Sequence, residues 1–362
     1  MKVLHVINTG HRNFGGKERA TLELICGLRE QGVDAELLSL RPGLTDAFAK
    51  DRGIPTFVPK VGWPQNARLV VETKRIIKEH RFELVHTHDF RENVIGRLAA
   101  RLAGVPVVTT VHGLAKFCLD MPRHKRLAYH ALDMLTAPMS SAFIVLSETD
   151  TNLLGHRVPK EKVQVIRPAL RTSKMAGANK RERGNPPVFG SAGRLDSQKG
   201  FDIFIKAAAK LLAEGIDARF VLAGTGAGEA ELRNLVHELG IDSRFKLLGF
   251  VKDMDGFYES IDVFVLPSRV ERSPMTILEA RAHGLPVIAT DVGGVREMLS
   301  GDAGGILVPP DDTEALADAM RQVLSDPELA KAARTDPDAQ NASFDEMINL
   351  TIKLYREVLN QR

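Results

Sequence analysis

Strand-like apolar runs and helix-period segments alternate along these 362 residues from end to end, and the alternation runs through twice. In the first half the expected strands are Val3–Ile7, Ala35–Leu40, Leu84–His86, Val105–Val111, Ala142–Leu146 and Val163–Ile166. Helical stretches such as Lys17–Gln31, Ala67–His80 and Glu92–Ala103 lie between them. The second half restarts with Val188–Ala192, Arg219–Leu222, Phe245–Leu248, Val263–Leu266, Val287–Thr290 and Gly305–Val308. Strands separated by helices pair in parallel, with the helices covering both faces, so each half predicts a doubly wound α/β sheet. Lys174–Pro187 is polar, charged and closed by two prolines, and reads as a linker. The expected organisation is a first domain over 1–173, the linker 174–187, a second domain over 188–340 and a terminal segment 341–362. In that segment Phe344–Leu359 has helical apolar spacing after the breaker-rich stretch Thr335–Ser343. Periodicity leaves open whether this helix packs on its own domain or crosses back to the first.

Composition narrows the class. A chain that is 44% hydrophobic and 26% charged is an ordinary globular one, and its length implies about two domains. The net charge of +3 conceals an asymmetry. Residues 1–184 carry 30 basic against 18 acidic side chains, and the remainder 19 against 28. A basic half suits an anionic ligand, a membrane surface or nucleic acid. Cys26 and Cys118 fit no metal spacing and point to a reduced, cytoplasmic setting. The apolar start is too short for a signal peptide and no run approaches a membrane span, so the expected place is the cytoplasm or the inner face of the cell membrane.

In open α/β sheets ligands bind beyond the carboxyl ends of the strands. The richest such edge is Pro267–Thr290. Ser273 sits where an N-cap belongs and Pro274 where a first helical residue belongs. The amides of Met275 and Thr276 then stand unpaired at the positive end of a helix, an anion site. Glu271 before that helix and Glu279 within it are candidates for holding ribose or sugar hydroxyls. After the strand Val188–Ala192 comes GRLDSQKG, whose Arg194 and Lys199 suit a diphosphate, one as a fork and one as a point charge. Solvated surface charge is the commonest reading of any such residue, but two bracketing glycines at a strand end argue for a ligand. No Gly-Lys-Ser/Thr follows, so this is not a Walker loop.

The first half has a matching loop, Gly10–Glu18, where Gly15 and Gly16 permit close backbone approach before a helix. His112-Gly113 ends another strand. His86 and His88 point the same way with Asp89 beside them, but no third ligand at zinc spacing follows, so a metal is not expected. Asp253-Met254-Asp255 is read as a helix cap, and Gly224–Gly228 as a turn into the helix Glu229–Leu239. Arg123–Arg126, with Lys116, Arg97 and Arg101, gives the first half several basic helices. A solvated face explains any one of them, while their sum favours an anionic acceptor or a membrane surface.

Together these residues resemble the family 4 retaining glycosyltransferases of the GT-B fold, two Rossmann-like doubly wound domains facing across a cleft. The matching segments are GGKE at Gly15–Glu18, Val111–Gly113, GRLDSQKG, Leu222–Gly226, Leu248–Asp253 and the glutamate pair with the segment after it. The resemblance implies a donor bound mainly by the second domain, with Arg194 and Lys199 on the diphosphate, Glu279 on the ribose and Glu271 near the sugar. The amides around Met275 and Thr276 would hold phosphate or sugar, and Gly16 and His112 would close from the first domain. Two departures stand out: Arg272-Ser273 where the family has Gly-Phe, and Arg167-Pro168-Ala169 where it has Pro-Asn-Gly. The first implies a different loop path and an unusual donor sugar.

The expected activity is therefore sugar transfer from a nucleotide diphosphate sugar, a UDP-sugar favoured, to an acceptor hydroxyl, with no metal or other cofactor. Lipopolysaccharide, cell-surface and lipid-linked glycans are the acceptors that suit the basic half. A sugar-nucleotide epimerase of the same architecture and a non-catalytic nucleotide-sugar binding protein are the alternatives. No aromatic platform or recognition helix favours nucleic acid.

Overall fold

Each of the twelve expected runs forms a strand, and every strand pair is parallel. The computed structural model of the chain describes residues 1–8, 15–61, 66–112, 122–171, 184–299, 305–326 and 337–361. Residues 10–14 of the first glycine loop, Gly113, Lys116, Cys118 and most of the linker lie outside the described residues. The chain divides into two units, Met1–Ala169 with Ser343–Arg362, and Leu170–Ala342.

In the first unit the strands β1 (Lys2–Ile7), β2 (Asp34–Ser39), β3 (Thr56–Phe57), β4 (Leu84–His88), β5 (Val107–Thr110), β6 (Ala142–Val145) and β7 (Val163–Val165) form one sheet. Their order is β3-β2-β1-β4-β5-β6-β7. Strand β3 was not expected, because two residues carry no periodicity to read. The helices are α1 (Gly16–Glu30), α2 (Leu44–Asp51), α3 (Asn66–Glu79), α4 (Phe90–Ala103) and α5 (Arg123–Thr136).

The second unit repeats the plan. Its strands are β8 (Val188–Ala192), β9 (Arg219–Ala223), β10 (Phe245–Gly249), β11 (Val263–Leu266), β12 (Val287–Thr290) and β13 (Gly305–Val308), in the order β10-β9-β8-β11-β12-β13. Helices α6 (Phe201–Ala213), α7 (Glu229–Glu238), α8 (Met254–Ser260), α9 (Met275–Ala282), α10 (Val295–Leu299) and α11 (Thr313–Ser325) cover it. Phe189, Phe220 and Phe245 stack across three neighbouring strands, Phe204 of α6 meets Phe220 and Phe245 edge-on, and all four are at most 2% exposed. In each sheet the winding reverses once, between β1 and β4 and between β8 and β11, and such reversal points are where doubly wound sheets bind ligands.

The terminal helix α12 (Pro337–Asn360) belongs to the first unit from Ser343 onward. It starts seven residues earlier than the apolar pattern, within the stretch read as breaker-rich. Pro337 takes the first helical position, where its missing N–H breaks no bond. Phe344, Ile348, Ile352 and Tyr355 are buried in one core with Val3, Ile25 and Leu28. Each such side chain is worth roughly 1.5–3 kcal/mol on burial, ample to fix the helix there. Gly27 of α1 makes the contact feasible, since a Cβ there would strike Ile348 and Phe344.

Candidate functional site

The carboxyl ends of β8, β11 and β12 hold the residues that the second half was expected to contribute. After β8 the chain makes a short 3-10 turn, Ser197–Lys199, capped by Asp196, whose side chain accepts from the Gln198 amide at 3.0 Å. Gly200 follows in the left-handed region at φ 61°, and a Cβ there would land on the Pro267 carbonyl beyond β11. Only glycine allows this approach. The Arg269 amide donates to the Gln198 carbonyl at 2.7 Å, so the two loops are stitched together. The third loop lies against them. Gly293, at φ 54°, packs on the Glu271 carbonyl, and the Gly294 amide donates to the Arg272 carbonyl at 2.9 Å.

This stitching brings Lys199 Nζ to 2.6 Å from Glu271 Oε1. Ser268 Oγ donates to the same oxygen at 2.7 Å, so Oε2 has no bond to another described residue. The Glu271 side chain is 8% exposed and the Lys199 side chain 23%, so the pair is enclosed but reachable. Arg194 is half exposed and its Nε donates to Asp196. Beneath it, the turn Gly224–Gly228 forms a floor: the Leu195 amide donates to the Thr225 carbonyl and the Gly228 amide to the Leu195 carbonyl. That segment is a turn into α7, as expected, and also the support of the Arg194 loop.

Helix α9 starts at Met275 with Pro274 as its cap, one residue later than expected from Ser273. The residue before a proline is held extended, and Pro274 itself keeps ψ at 115°, so helical geometry begins only after it. The Pro274 carbonyl accepts from the Ile277 amide at 3.1 Å, while first-turn amides such as those of Met275 and Thr276 have no acceptor within a helix. Glu279 is buried, and Tyr258 Oη donates to its Oε2 at 2.6 Å. Tyr258 was not singled out in the sequence, because only the packing of α8 against α9 reveals it. Asp253 caps α8, accepting from the Gly256 amide at 3.0 Å.

The reversal point of the first sheet is built differently. Gly15 caps α1 and its amide donates to Glu18 at 3.0 Å, with Gly16 the first helical residue. Lys17 Nζ sits 3.0 Å from Glu92 Oε1 and 3.3 Å from Asp89 Oδ2. Burial works against its charge, but the carboxylates of Glu92, Asp89 and Glu18 outweigh it and raise its pKa. Glu92 is pushed up to about 7, chiefly by burial, with the Lys17 cation opposing. The sequence reading passed over this trio, although Lys17 stands in the quoted GGKE and Asp89 beside the histidines.

Four histidines line the adjoining interior. His5 on β1 pairs in register with His86 on β4. His5 Nδ1 lies 3.0 Å from His88 Nε2, and His88 Nδ1 lies 3.2 Å from His112 Nε2. His86 bonds Tyr355 Oη at 2.5 Å and Thr110 Oγ1 at 2.7 Å. The expectation that His86 and His88 find no third ligand is corrected here. The neighbouring strand brings His5 within 4.8 Å of both, a set of donors that could hold a metal ion. As the structure stands, every ring nitrogen of the three but His5 Nε2 is engaged, with a neighbouring histidine, with Thr110 or with Tyr355. Burial drives His5 down to about 3 and His112 to about 4, and holds His86 and His88 well below the usual value. All four are neutral at neutral pH.

Neutral imidazoles in a chain share one direction of donation. His5 Nε2 is buried without a partner. A buried N–H left unpaired is rarer than an unpaired acceptor, so Nε2 is best left bare. The protons then run from His5 Nδ1 to His88, from His88 Nδ1 to His112, and leave His112 Nδ1 as a donor. His112 thus offers a hydrogen bond, not a charge.

Residues 176–337 match the family Glycosyl transferases group 1, and residues 14–174 match Glycosyltransferase Family 4. A UDP-Gal:alpha-D-GlcNAc-diphosphoundecaprenol alpha-1,3-galactosyltransferase of Escherichia coli is 29% identical over 332 residues, covering 86% of this chain and 86% of that protein. EpsD of Bacillus subtilis, which carries a glycosyltransferase name, is 31% identical over 291 residues, 74% of each chain. Among solved structures, Anabaena Alr3699/HepE in complex with UDP and glucose aligns with a TM-score of 0.80 at 22% identity, over 98% of this chain and 99% of that one.

Proposed function

The chain belongs to glycosyltransferase family 4, with the two doubly wound units of the GT-B fold, and from that premise we propose that it transfers a sugar from a UDP-sugar to an acceptor hydroxyl with retention of configuration. The observation that carries the reading is the Lys199–Glu271 pair, held by three loops beside the first turn of α9. In this reading Lys199 and Arg194 turn from Glu271 and Asp196 to the diphosphate, and the Met275 and Thr276 amides bind its remaining oxygens. Charge gathers on the leaving diphosphate as the glycosidic bond breaks. Preorganised cations and amides stabilise it there without a metal or other cofactor.

Glu279, with Oε2 fixed by Tyr258, accepts the ribose hydroxyls, and Glu271 Oε2 accepts a hydroxyl of the donor sugar. Front-face transfer assisted by the leaving diphosphate is the proposed route, with Glu271 holding a sugar hydroxyl; a double displacement through Glu271 is the competing route that paired carboxylates allow. Gly15 and Gly16 let backbone approach the donor, Ser273 and Pro274 set the start of α9, and His112 donates from Nδ1 to a sugar oxygen. The acceptor is a lipid-linked or cell-surface glycan such as lipopolysaccharide, reached from the cytoplasmic side. The basic first half and the diphosphoundecaprenol-linked substrate named for the Escherichia coli relative support this choice. No helix among the described residues is long and apolar enough to cross a membrane, so contact with anionic lipid would be peripheral.

A thermal-shift panel of UDP, GDP and ADP with their sugars tests the donor. UDP at about 100 times its Kd should stabilise the protein by roughly 2.7 kcal/mol, and absence of any response to a nucleoside diphosphate would refute the reading. Incubation with UDP-sugar alone separates the alternatives. An isomerised sugar would mean an epimerase, and binding without UDP release under any acceptor would mean a non-catalytic module.

A further inference from the structure

Helix α5 is folded inside out. The side chains it buries are Asp133 and Thr136, while Leu127, Leu132 and Leu135 stand 55%, 46% and 71% exposed. Charge, not apolar packing, holds its inner face. Arg97 of α4 is 1% exposed, and its Nη1 donates to Asp133 Oδ1 at 2.7 Å and its Nε to Ser140 Oγ at 2.9 Å. A helix that used its leucines for its own core would turn the other way.

At about 100° per residue, Leu127, Ala128, Ala131, Leu132 and Leu135 share one arc of the helix. Met139 continues the stripe in the following turn, and Leu102 ends the neighbouring helix α4, both exposed. Of the nine large apolar side chains exposed among the described residues, five belong to this one region. The charges are sorted with it. The only carboxylates of α4 and α5, Glu92 and Asp133, are each 2% exposed, whereas Arg101, Arg123 and Lys125 face solvent. A second copy of the chain seated on this patch would bring like charges together. A surface of anionic phosphates above acyl chains satisfies both the cations and the leucines.

We propose that α5, with the end of α4, docks the protein on an anionic lipid bilayer, its leucines seated among acyl chains and its basic first turn at the phosphates. This deepens the reading of a lipid-linked acceptor and rests on it only for its purpose. The test therefore uses no sugar nucleotide. The full chain is sedimented with vesicles of phosphatidylglycerol and phosphatidylethanolamine, and with vesicles of phosphatidylcholine. Wild type should bind the anionic vesicles at least roughly tenfold more tightly, and the double change Leu127→Glu and Leu135→Glu should weaken that by roughly tenfold or more. Arg123→Ser with Lys125→Ser should weaken binding and flatten its salt dependence. Both sites are exposed, and an unchanged melting temperature establishes that each variant is folded. Failure of wild type to bind anionic vesicles, equal binding by the leucine variant, or a dimer that this variant alone dissolves would each overturn the proposal. A retained UDP thermal shift in the same samples keeps this outcome separate from failure of the transferase reading.

Discussion

The two reversal points share one topology and opposite electrostatics. Beyond β8 and β11 the groups are charged and partly open: Lys199 on Glu271, and a half-exposed Arg194 on Asp196. Beyond β1 and β4 they are held by several partners: Lys17 between Glu92 and Asp89, and beside it a chain of buried neutral histidines. In the proposed reading the first arrangement exchanges these carboxylates for a diphosphate, since Lys199 has a single carboxylate to leave and Arg194 is half exposed. The second cannot release its cation without stranding buried acids. In the proposed reading one topology therefore yields a clamp in one unit and a fixed scaffold in the other; the Lys199 and Lys17 side chains are similarly exposed, 23% and 20%, and the number of carboxylates held around each makes the difference.

The comparison breaks first at Lys17. Lys17→Met leaves Glu92 and Asp89 unneutralised, and should destabilise the first unit by about 3–5 kcal/mol, read by hydrogen exchange in β1 and β4. The loss should be smaller at pH 6 than at pH 8, since Glu92 can then escape by protonation. Lys199→Met should do the reverse. Stability should hardly change, while the transfer rate drops roughly 10²–10³-fold, about 2.7–4 kcal/mol in the transition state. A large stability loss with full activity would place Lys199 in a scaffold and dissolve the contrast.

Tyr258→Phe removes the bond that fixes Glu279 Oε2. It should cost about 1.5 kcal/mol and weaken UDP binding by calorimetry, less than Lys199→Met slows transfer. The smallest expected effect is a slope. The histidines have folded pKa values below 6.5, so below that pH the unfolded chain binds more protons and stability falls as the solution is acidified. Glu92 acts oppositely: between pH 4.5 and 7 it is protonated when folded, so its contribution falls as pH rises. The histidines outnumber it, and the first unit should lose stability in acid ahead of the second. His88→Asn should reduce the slope below pH 6.5 by about 1.4 kcal/mol per pH unit. An unchanged slope would mean that His88 is already charged in the folded protein.

Much of the second site was legible because its loops are built from local signals. Glycines at fixed offsets, a strand end and a proline before a helix place Arg194, Lys199, Glu271 and Met275 at one edge without knowledge of the sheet order. The cap shifted by one residue from Ser273 to Pro274, within the reach of proline's effect on its neighbour. The first site was poorly legible for the opposite reason. His5 and His86 are 81 positions apart and meet only because β1 lies beside β4, and Lys17 finds Glu92 by the same adjacency. Tyr355 reaches His86 only because α12 folds onto the first unit.

By itself the sequence determined the class of fold, the doubling and the residues at the sheet edge, since alternation, glycine placement and charge are local properties of a chain. Tertiary structure alone decided which charges are open and which are locked, where the terminal helix docks, and that α5 turns its leucines outward. Burial and hydrogen bonding depend on neighbours distant along the chain, and only the folded sheet order brings those neighbours together.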